Sequence, residues 1–470
     1  MLYDRPMDDL ERSLHRAADM IAAYRRDAPR TRVGAELSRE AVAAALDPVM
    51  PAGPAPLAVI DDLVAGAAPG LVCTPGPRYF GFVVGGSIDA AVIADLLTTG
   101  WDQNAFNAAL APAAVAFEDV AGTWLKELLH LPASASAGFV RGAGAANTVG
   151  IAAGRTHVLA AHGWDVGRDG LTGAPRVRIL AGIERHATID RALRLLGLGD
   201  GSIDAVPALA NGEMNPHAVE AALADAPGVP TIVCAQAGNV NTGACDDLRA
   251  IGTATREHGA WLHVDGAFGL WAAACPRKAG LVDGVELADS WGCDGHKWLN
   301  VPYDSGYAFC AHPETHVEAM TYTAAYLSGQ VAGRAFGGGD FTIESSRRAR
   351  GFATWAALRA LGRSGVADLV DRCCRMAERF AERLEALDGI EVANDVVLNQ
   401  VLVRVGDEAL TERIERAVQD DGTCWLGATT WRGERLLRIS VSNWSTGEDD
   451  VDASVEAIRR ARAAVMATAV

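Results

Sequence analysis

No two cysteines in this chain are spaced as a CxxC pair, and the nine present are scattered. An odd, irregular set excludes a fully paired disulfide framework and offers no zinc-ligand spacing. Basic residues are in the minority. The 42 Lys and Arg stand against 59 Asp and Glu, and the net charge of −17 argues against general binding to nucleic acid or to an anionic membrane surface. No apolar run reaches the roughly 20 residues that a membrane-spanning helix needs. The start of the chain lacks the basic-then-apolar pattern of a secretory signal. There is no internal repeat, no low-complexity tail, no Walker A motif and no complete dinucleotide fingerprint. These absences lead us to expect a reduced, cytoplasmic protein with neither a nucleic-acid nor a membrane partner.

What is present suffices for a large core. Of the 470 residues, 50% are hydrophobic and 21% charged, which excludes global disorder, and the length allows more than one domain. Leu10, Leu14, Ala17, Ala18, Ile21 and Ala22 fall at helical spacing over 9–26. Further helices are expected from Ser38 and around 57–66. This segment, residues 1–70, is too small to hold its own core and should pack on the main domain or on a partner subunit. A turn at 75–77 leads into an aromatic cluster through Phe82, and helices are expected from Ile88 and from Pro112 to about Leu129. Strand and helix signals then alternate, with strands near 176–181, 202–206, 231–234 and 261–264. That alternation predicts a mainly parallel sheet covered by helices within a large domain, residues 71–320. The stretch from Tyr322 to Asp340, with Tyr326 and Gly337-Gly338-Gly339, lacks periodicity and is expected to be a mobile loop. Helices near 349–361, 366–386, 409–419 and 448–465, with strands near 399–405 and 435–441, predict a smaller α+β domain over 321–470.

Chemistry concentrates in residues 289–306. Lys297 stands between His296 and Trp298, where desolvation favours the neutral amine that attacks carbonyl groups, as a Schiff-base lysine requires. A surface lysine whose stem lies along a tryptophan has the same local sequence. Upstream, Asp265 closes the apolar run 260–264 at the carboxyl end of a strand, where open α/β sheets bind ligands. A carboxylate there either caps the next turn or pairs with a protonated ring nitrogen, as in pyridoxal-phosphate enzymes. Asp265 and Lys297 together favour the second. Gly142-Ala143-Gly144-Ala145-Ala146-Asn147 opens a helix with small residues, which lets a phosphate approach backbone N–H groups, although many helices begin this way. His186, at a helix start, can stack on a flat cofactor or simply cap the helix. His263 with Asp265 is too sparse for a metal site, and no metal is expected.

In this order, His263-Val264-Asp265-Gly266-Ala267 and His296-Lys297-Trp298-Leu299-Asn300 resemble the motifs of the pyridoxal-phosphate-dependent group II amino-acid decarboxylases, the family of aromatic-amino-acid and glutamate decarboxylases. The resemblance spans the chain from Pro77 into the C-terminal domain. It implies the α/β fold type I of pyridoxal-phosphate-dependent transferases (aspartate-aminotransferase-like), and a homodimer with active sites at the interface. It implies that Lys297 holds pyridoxal phosphate covalently, that Asp265 pairs with the pyridine nitrogen and that Ala267 packs on one ring face. His186, in Glu184-Arg185-His186-Ala187, would cover the other face and help place a proton. Ala143 and Gly144 would bind the phosphate, with His296 a further contact. Phe82 and Phe106 match positions that line the substrate pocket, Phe106 serving the partner's site. The activity implied is α-decarboxylation of an L-amino acid to carbon dioxide and an amine, an aromatic or apolar substrate being favoured.

Three positions depart from the family pattern. Gly144 stands where a hydroxyl residue is usual, so backbone donors would carry more of the phosphate contact. Asp294 stands where some members have an amide, and a carboxylate there would repel phosphate unless it faces away. Aligning back from Arg347-Arg348 puts the family's loop tyrosine near Gly338, with Tyr326 a poor substitute. The last departure keeps other outcomes open: aldehyde synthesis, transamination or carbon–carbon lysis on the same cofactor, or a catalytically silent fold-mate that acts as a binding protein.

Overall fold

The computed structural model describes residues 8–46, 56–321 and 337–467. Among the described residues, five helices precede the first strand: α1 (Asp9–Asp27), α2 (Arg39–Ala45), α3 (Pro56–Ala67), α4 (Asp89–Trp101) and α5 (Pro112–Leu128). Asp8 and Glu11 form a reciprocal capping box that fixes the start of α1. The N-terminal helices are tied to the rest of the chain by Arg25, which bonds Ser87 and pairs with Asp89, and by Arg32, which donates to the carbonyls of Gln419 and Asp420.

The large sheet has seven strands: β1 (Ser136–Val140), β2 (Arg178–Gly182), β3 (Ile203–Val206), β4 (Thr231–Gln236), β5 (Trp261–Asp265), β6 (Ser290–Asp294) and β7 (Gly306–Cys310). Their order is β1-β7-β6-β5-β4-β2-β3, and only β7 runs antiparallel to its neighbours. Helices α6 (Ala143–Ala160), α7 (Val166–Asp169), α8 (Ala187–Leu195), α9 (Pro216–Ala224), α10 (Leu248–Glu257) and α11 (Pro313–Met320) connect and cover it. Residues of β5, β6 and β7 are buried throughout, as strands covered on both faces are, and so none of them shows an alternating pattern. Small residues let α6 lie directly on β5, where a Cβ on Gly150 would come within 2.5 Å of His263 Nδ1.

A second sheet, β8 (Glu391–Val392), β9 (Gln400–Arg404), β10 (Gly427–Trp431) and β11 (Glu434–Ser440), is antiparallel in the order β10-β11-β9-β8. The helices of this part are α12 (Gly351–Glu385), α13 (Glu408–Asp421) and α14 (Glu448–Ala467). Helix α12 is interrupted at Gly362 (φ 63°, ψ 179°), a left-handed conformation that costs glycine little, and this break divides the two helices read in the sequence. Among the described residues no helix is long and apolar enough to cross a membrane.

The periodicity did not pick out β1, β7, β8 or β10, and it gave no bounds for β6. β1 contains Ala and Gly, β8 is two residues long, and β10 is mostly half-exposed. The glycine-rich stretch also differs from expectation at its end. Gly338–Phe341 form a 3-10 turn, with Asp340 accepting from Gly337 N–H (2.8 Å) and from the Thr321 hydroxyl (2.9 Å). Tyr326, on the same stretch, lies outside the described residues.

Arg347 anchors the approach to α12. Its side chain is fully buried and forms a two-pronged ion pair with Glu118 of α5, Nη1 lying 2.8 Å from Oε1. Nη1 also donates to the Phe139 carbonyl at 3.3 Å. Removing one partner of such a pair leaves a charge buried alone. Glu118→Ala is therefore expected to cost about 3–5 kcal/mol of unfolding free energy, read as a lower denaturant midpoint.

Candidate active site

Five strands deliver candidate site residues to one edge of the large sheet. β1 leads into Ala143, β2 into His186, β4 ends at Gln236, β5 at Asp265, and β6 at Asp294, three residues before Lys297. This is the carboxyl edge of the parallel strands, where the crossovers leave a crevice.

Lys297 Nζ lies 3.2 Å from Asp294 Oδ2 and 5.9 Å from the centroid of the Phe268 ring. Trp298 points the other way, into the core, with 1% of its surface exposed. The lysine thus faces a carboxylate and Phe268, and not the Trp298 ring that the sequence suggested, while His296 reaches the same carboxylate.

Asp265 is buried and accepts from Ala267 N–H at 3.2 Å and from the Asn147 amide. Burial pushes its carboxyl up from the ordinary carboxylate range, while the charges of His186 and Lys297 and these donors oppose that rise. Burial moves His186 the other way, toward the neutral ring, with Asp265 opposing. Asn147 belongs to a buried row. Ser290 Oγ meets His263 Nδ1 (2.9 Å), His263 Nε2 meets Asn147 Oδ1 (3.1 Å), and Asn147 Nδ2 donates to Thr188 Oγ1 (3.3 Å). Thr188 Oγ1 in turn lies 2.9 Å from His186 Nδ1, and Gln236 Oε1 accepts from His186 N–H (3.1 Å). Burial pushes His263 down to about 3, so it serves this row as a neutral ring.

His186 caps α8, its Nδ1 accepting from Thr188 N–H. The neutral tautomer that accepts at Nδ1 carries its proton on Nε2. At the start of α6, Ala143 N–H donates to Asp294 Oδ1 at 2.5 Å. A Cβ on Gly142 would lie 2.9 Å from His296 Cε1, so only glycine allows this close approach. His296 accepts from Ser305 N–H at Nδ1 (3.1 Å), and its Nε2 is 3.5 Å from Asp294 Oδ1.

The remaining positions fall as follows. Ala267 lies between the two carboxylates, its N–H on Asp265 and its carbonyl accepting from Asp294 N–H. Phe82 is 65% exposed and packs against Trp425, ring centroids 5.4 Å apart, with Tyr79 stacked on the same indole at 5.0 Å. Phe106 lies beside Gly339, which donates to its carbonyl at 2.9 Å. The position matched to the loop tyrosine, Gly338, has no room for a side chain, since a Cβ there would run into the Arg347 guanidinium. Three residues escaped the sequence reading. Tyr303 stacks on His296 at 4.3 Å, Trp425 completes the aromatic wall, and Arg438 of β11 sends its charge to His186. The run up to Tyr303 offered a signal for the first. Trp425 and Arg438 come from the small-sheet part of the chain, and nothing local in sequence links them to Lys297.

These residues fit a pyridine aldehyde. An amine, a buried carboxylate and a histidine converge, and a helix end supplies N–H groups suited to a phosphate. One group fits poorly, the Asp294 carboxylate on the first of those N–H groups. Comparison with known proteins agrees with this chemistry. The pyridoxal-dependent decarboxylase conserved domain matches residues 41–405. Tryptophan decarboxylase 1 of Oryza sativa subsp. japonica is 27% identical over 98% of this chain and 95% of its own. The 4-hydroxyphenylacetaldehyde synthase of Rhodiola rosea is 27% identical over 84% of this chain and 82% of its own. The crystal structure of Oryza sativa TDC with PLP and tryptamine superposes with a TM-score of 0.90 at 24% identity, covering 99% of this chain and 100% of that one.

The buried His263 ring generates a pH dependence. Its proton affinity is held far below the ordinary 6.5, so below that pH the unfolded chain binds a proton that the folded chain refuses. Unfolding free energy is expected to fall as pH drops below about 6.5 and to fall less steeply in His263→Gln, as measured by urea titration across pH.

Proposed function

This chain belongs to the pyridoxal-dependent decarboxylase family, and we propose that the L-amino acid it decarboxylates carries an aromatic or apolar side chain. It is a carboxy-lyase of fold type I, with pyridoxal phosphate as cofactor and carbon dioxide and an amine as products. The aromatic wall of Tyr79, Phe82 and Trp425, reaching toward Tyr303 and His296, carries the proposal on substrate. Relatives that act on tryptophan and tyrosine support it.

Bound cofactor supplies an electron sink for the pair released when the carboxylate leaves. The protein's part is positional. Lys297 would hold the cofactor, and Asp265 would keep the ring nitrogen protonated, itself oriented by Asn147 and His263. His186 would cover one ring face and Ala267 the other, while Ala143, Gly144 and His296 hold the phosphate end. His186 Nε2–H is a proton fixed in direction by Thr188 and Gln236, suited to delivery at the substrate carbon after carbon dioxide departs. Arg438 is partly buried, with Nη1 on the Val240 carbonyl at 3.4 Å, and faces His186 from the small sheet. It is the cation we assign to the substrate carboxylate.

We further propose a homodimer. Leu10, Leu14 and Leu63 on the N-terminal helices and Ile93, Leu96 and Trp101 on α4 are exposed apolar groups of the kind a second copy covers. Phe106 would then serve the partner's site. The nine cysteines are all free thiols, which supports a cytoplasmic location. Residues 1–70, 71–320 and 321–470 remain our proposed division of the chain.

A second reading, aldehyde synthesis, rests on Gly338 in place of the loop tyrosine and on the Rhodiola rosea relative. Purified protein with pyridoxal phosphate and a panel of L-amino acids should release carbon dioxide and amine in equal amounts from an aromatic substrate. Carbon dioxide with aldehyde in place of amine would establish the second reading. Lys297→Ala should abolish turnover and borohydride-reducible cofactor, and turnover at the wild-type rate would remove Lys297 from its role. Asp265→Ala should keep a native circular dichroism spectrum and lose most activity, about 10²-fold or more.

A further inference from the structure

The end of α6 already carries an anion of the protein's own. Ala145 and Ala146 N–H both donate to the Gly142 carbonyl, which leaves the Ala143 and Gly144 N–H groups to receive a phosphate. Asp294 Oδ1 takes the first at 2.5 Å, and Oδ2 lies 3.2 Å from Lys297 Nζ. The carboxylate is 3% exposed, and its backbone is held on both sides. Asp294 N–H donates to the Ala267 carbonyl, Trp271 Nε1 donates to the Asp294 carbonyl at 3.0 Å, and β6 pairs Asp294 with Gly306. It can leave the helix end only by rotating its side chain. Gly144 offers no hydroxyl to compensate.

We propose that Asp294 is an internal competitor of the cofactor phosphate and sets the affinity of this chain for pyridoxal phosphate. Carboxylate and phosphate seek the same N–H donor, and two anions within a few ångströms in a buried site repel strongly. Binding of the phosphate therefore displaces Asp294 from Ala143 and separates it from Lys297, whose amine is freed to meet the aldehyde. The inference rests on the reading of Lys297 and α6 as the cofactor site.

Asp294→Asn tests it with almost no change in shape. The amide still accepts from Ala143, and it can donate to phosphate. The readouts are dissociation constants for pyridoxal phosphate, for pyridoxal without the phosphate, and for inorganic phosphate as a competitor, followed by quenching of tryptophan fluorescence. Asp294→Asn is expected to bind pyridoxal phosphate about ten- to a hundredfold more tightly, with the constant for pyridoxal unchanged. Inorganic phosphate should compete more effectively against the variant. Asp294→Ser, smaller and neutral, should shift the constants in the same direction and guards against a folding defect in the first variant. Unchanged or weaker binding of pyridoxal phosphate by both folded variants would overturn the proposal, as would an equal gain for pyridoxal, which would place the effect at Lys297. Uptake by the variants and not by the wild type would support competition in its extreme form. No uptake by any of the three, with no borohydride-reducible adduct, would overturn the assignment of the site and the competition with it.

Discussion

An ionised carboxylate at the end of a fully buried strand costs several kcal/mol unless donors and cations surround it. Much of this site meets that condition for Asp265. Asn147 on α6 and Ala267 after β5 donate to it, Lys297 brings positive charge, and the His186 ring stands near enough to interact with it. These groups come from four separate stretches of chain, brought together because a parallel sheet ends its strands on one edge. The same requirement explains the buried row behind Asn147. A neutral His263 between Ser290 and Asn147 fixes the amide so that it presents its N–H groups to Asp265 and Thr188. The small residues of α6 belong to this arrangement too, since the helix must lie close enough to β5 for His263 to reach Asn147.

The parts legible in the sequence are those where a short apolar run meets a polar residue. Asp265 after 260–264 and Lys297 after β6 were read from local pattern, His186 from the family resemblance, and the structure brings all three together. The parallel run β2 to β5 was legible because strand and helix signals alternate there at short spacing. Direction was not legible. The sequence left open whether Asp294 faces the phosphate end or away from it. The answer depends on the pairing of Asp294 with Gly306 and on the close approach that Gly142 permits, and both are properties of assembled strands. Arg438 and Trp425 were missed for a related reason. They arrive from the small sheet and its flank, over 100 residues beyond Lys297, and no periodicity encodes how two sheets face each other.

The relation between Gly338 and Arg347 bears on the choice between reaction outcomes. The tryptophan decarboxylase and the aldehyde synthase are equally identical to this chain at 27%, so overall likeness does not separate the two chemistries. Local packing says more. The space next to Gly338 holds the guanidinium of Arg347, locked to Glu118 and fully buried, so a tyrosine could enter there only by breaking that pair. On the proposed reading, a proton delivered from this position is therefore not available within the described fold. The proton that remains well placed is that of His186, whose ring direction is set by Thr188 and whose backbone is bonded to Gln236 at the end of β4. Those partners sit on the carboxyl edge of the sheet, so the position of the acid is set by the sheet itself. A decarboxylase that lacks the loop tyrosine can then still protonate the substrate carbon, because the donor belongs to the scaffold that holds Asp265.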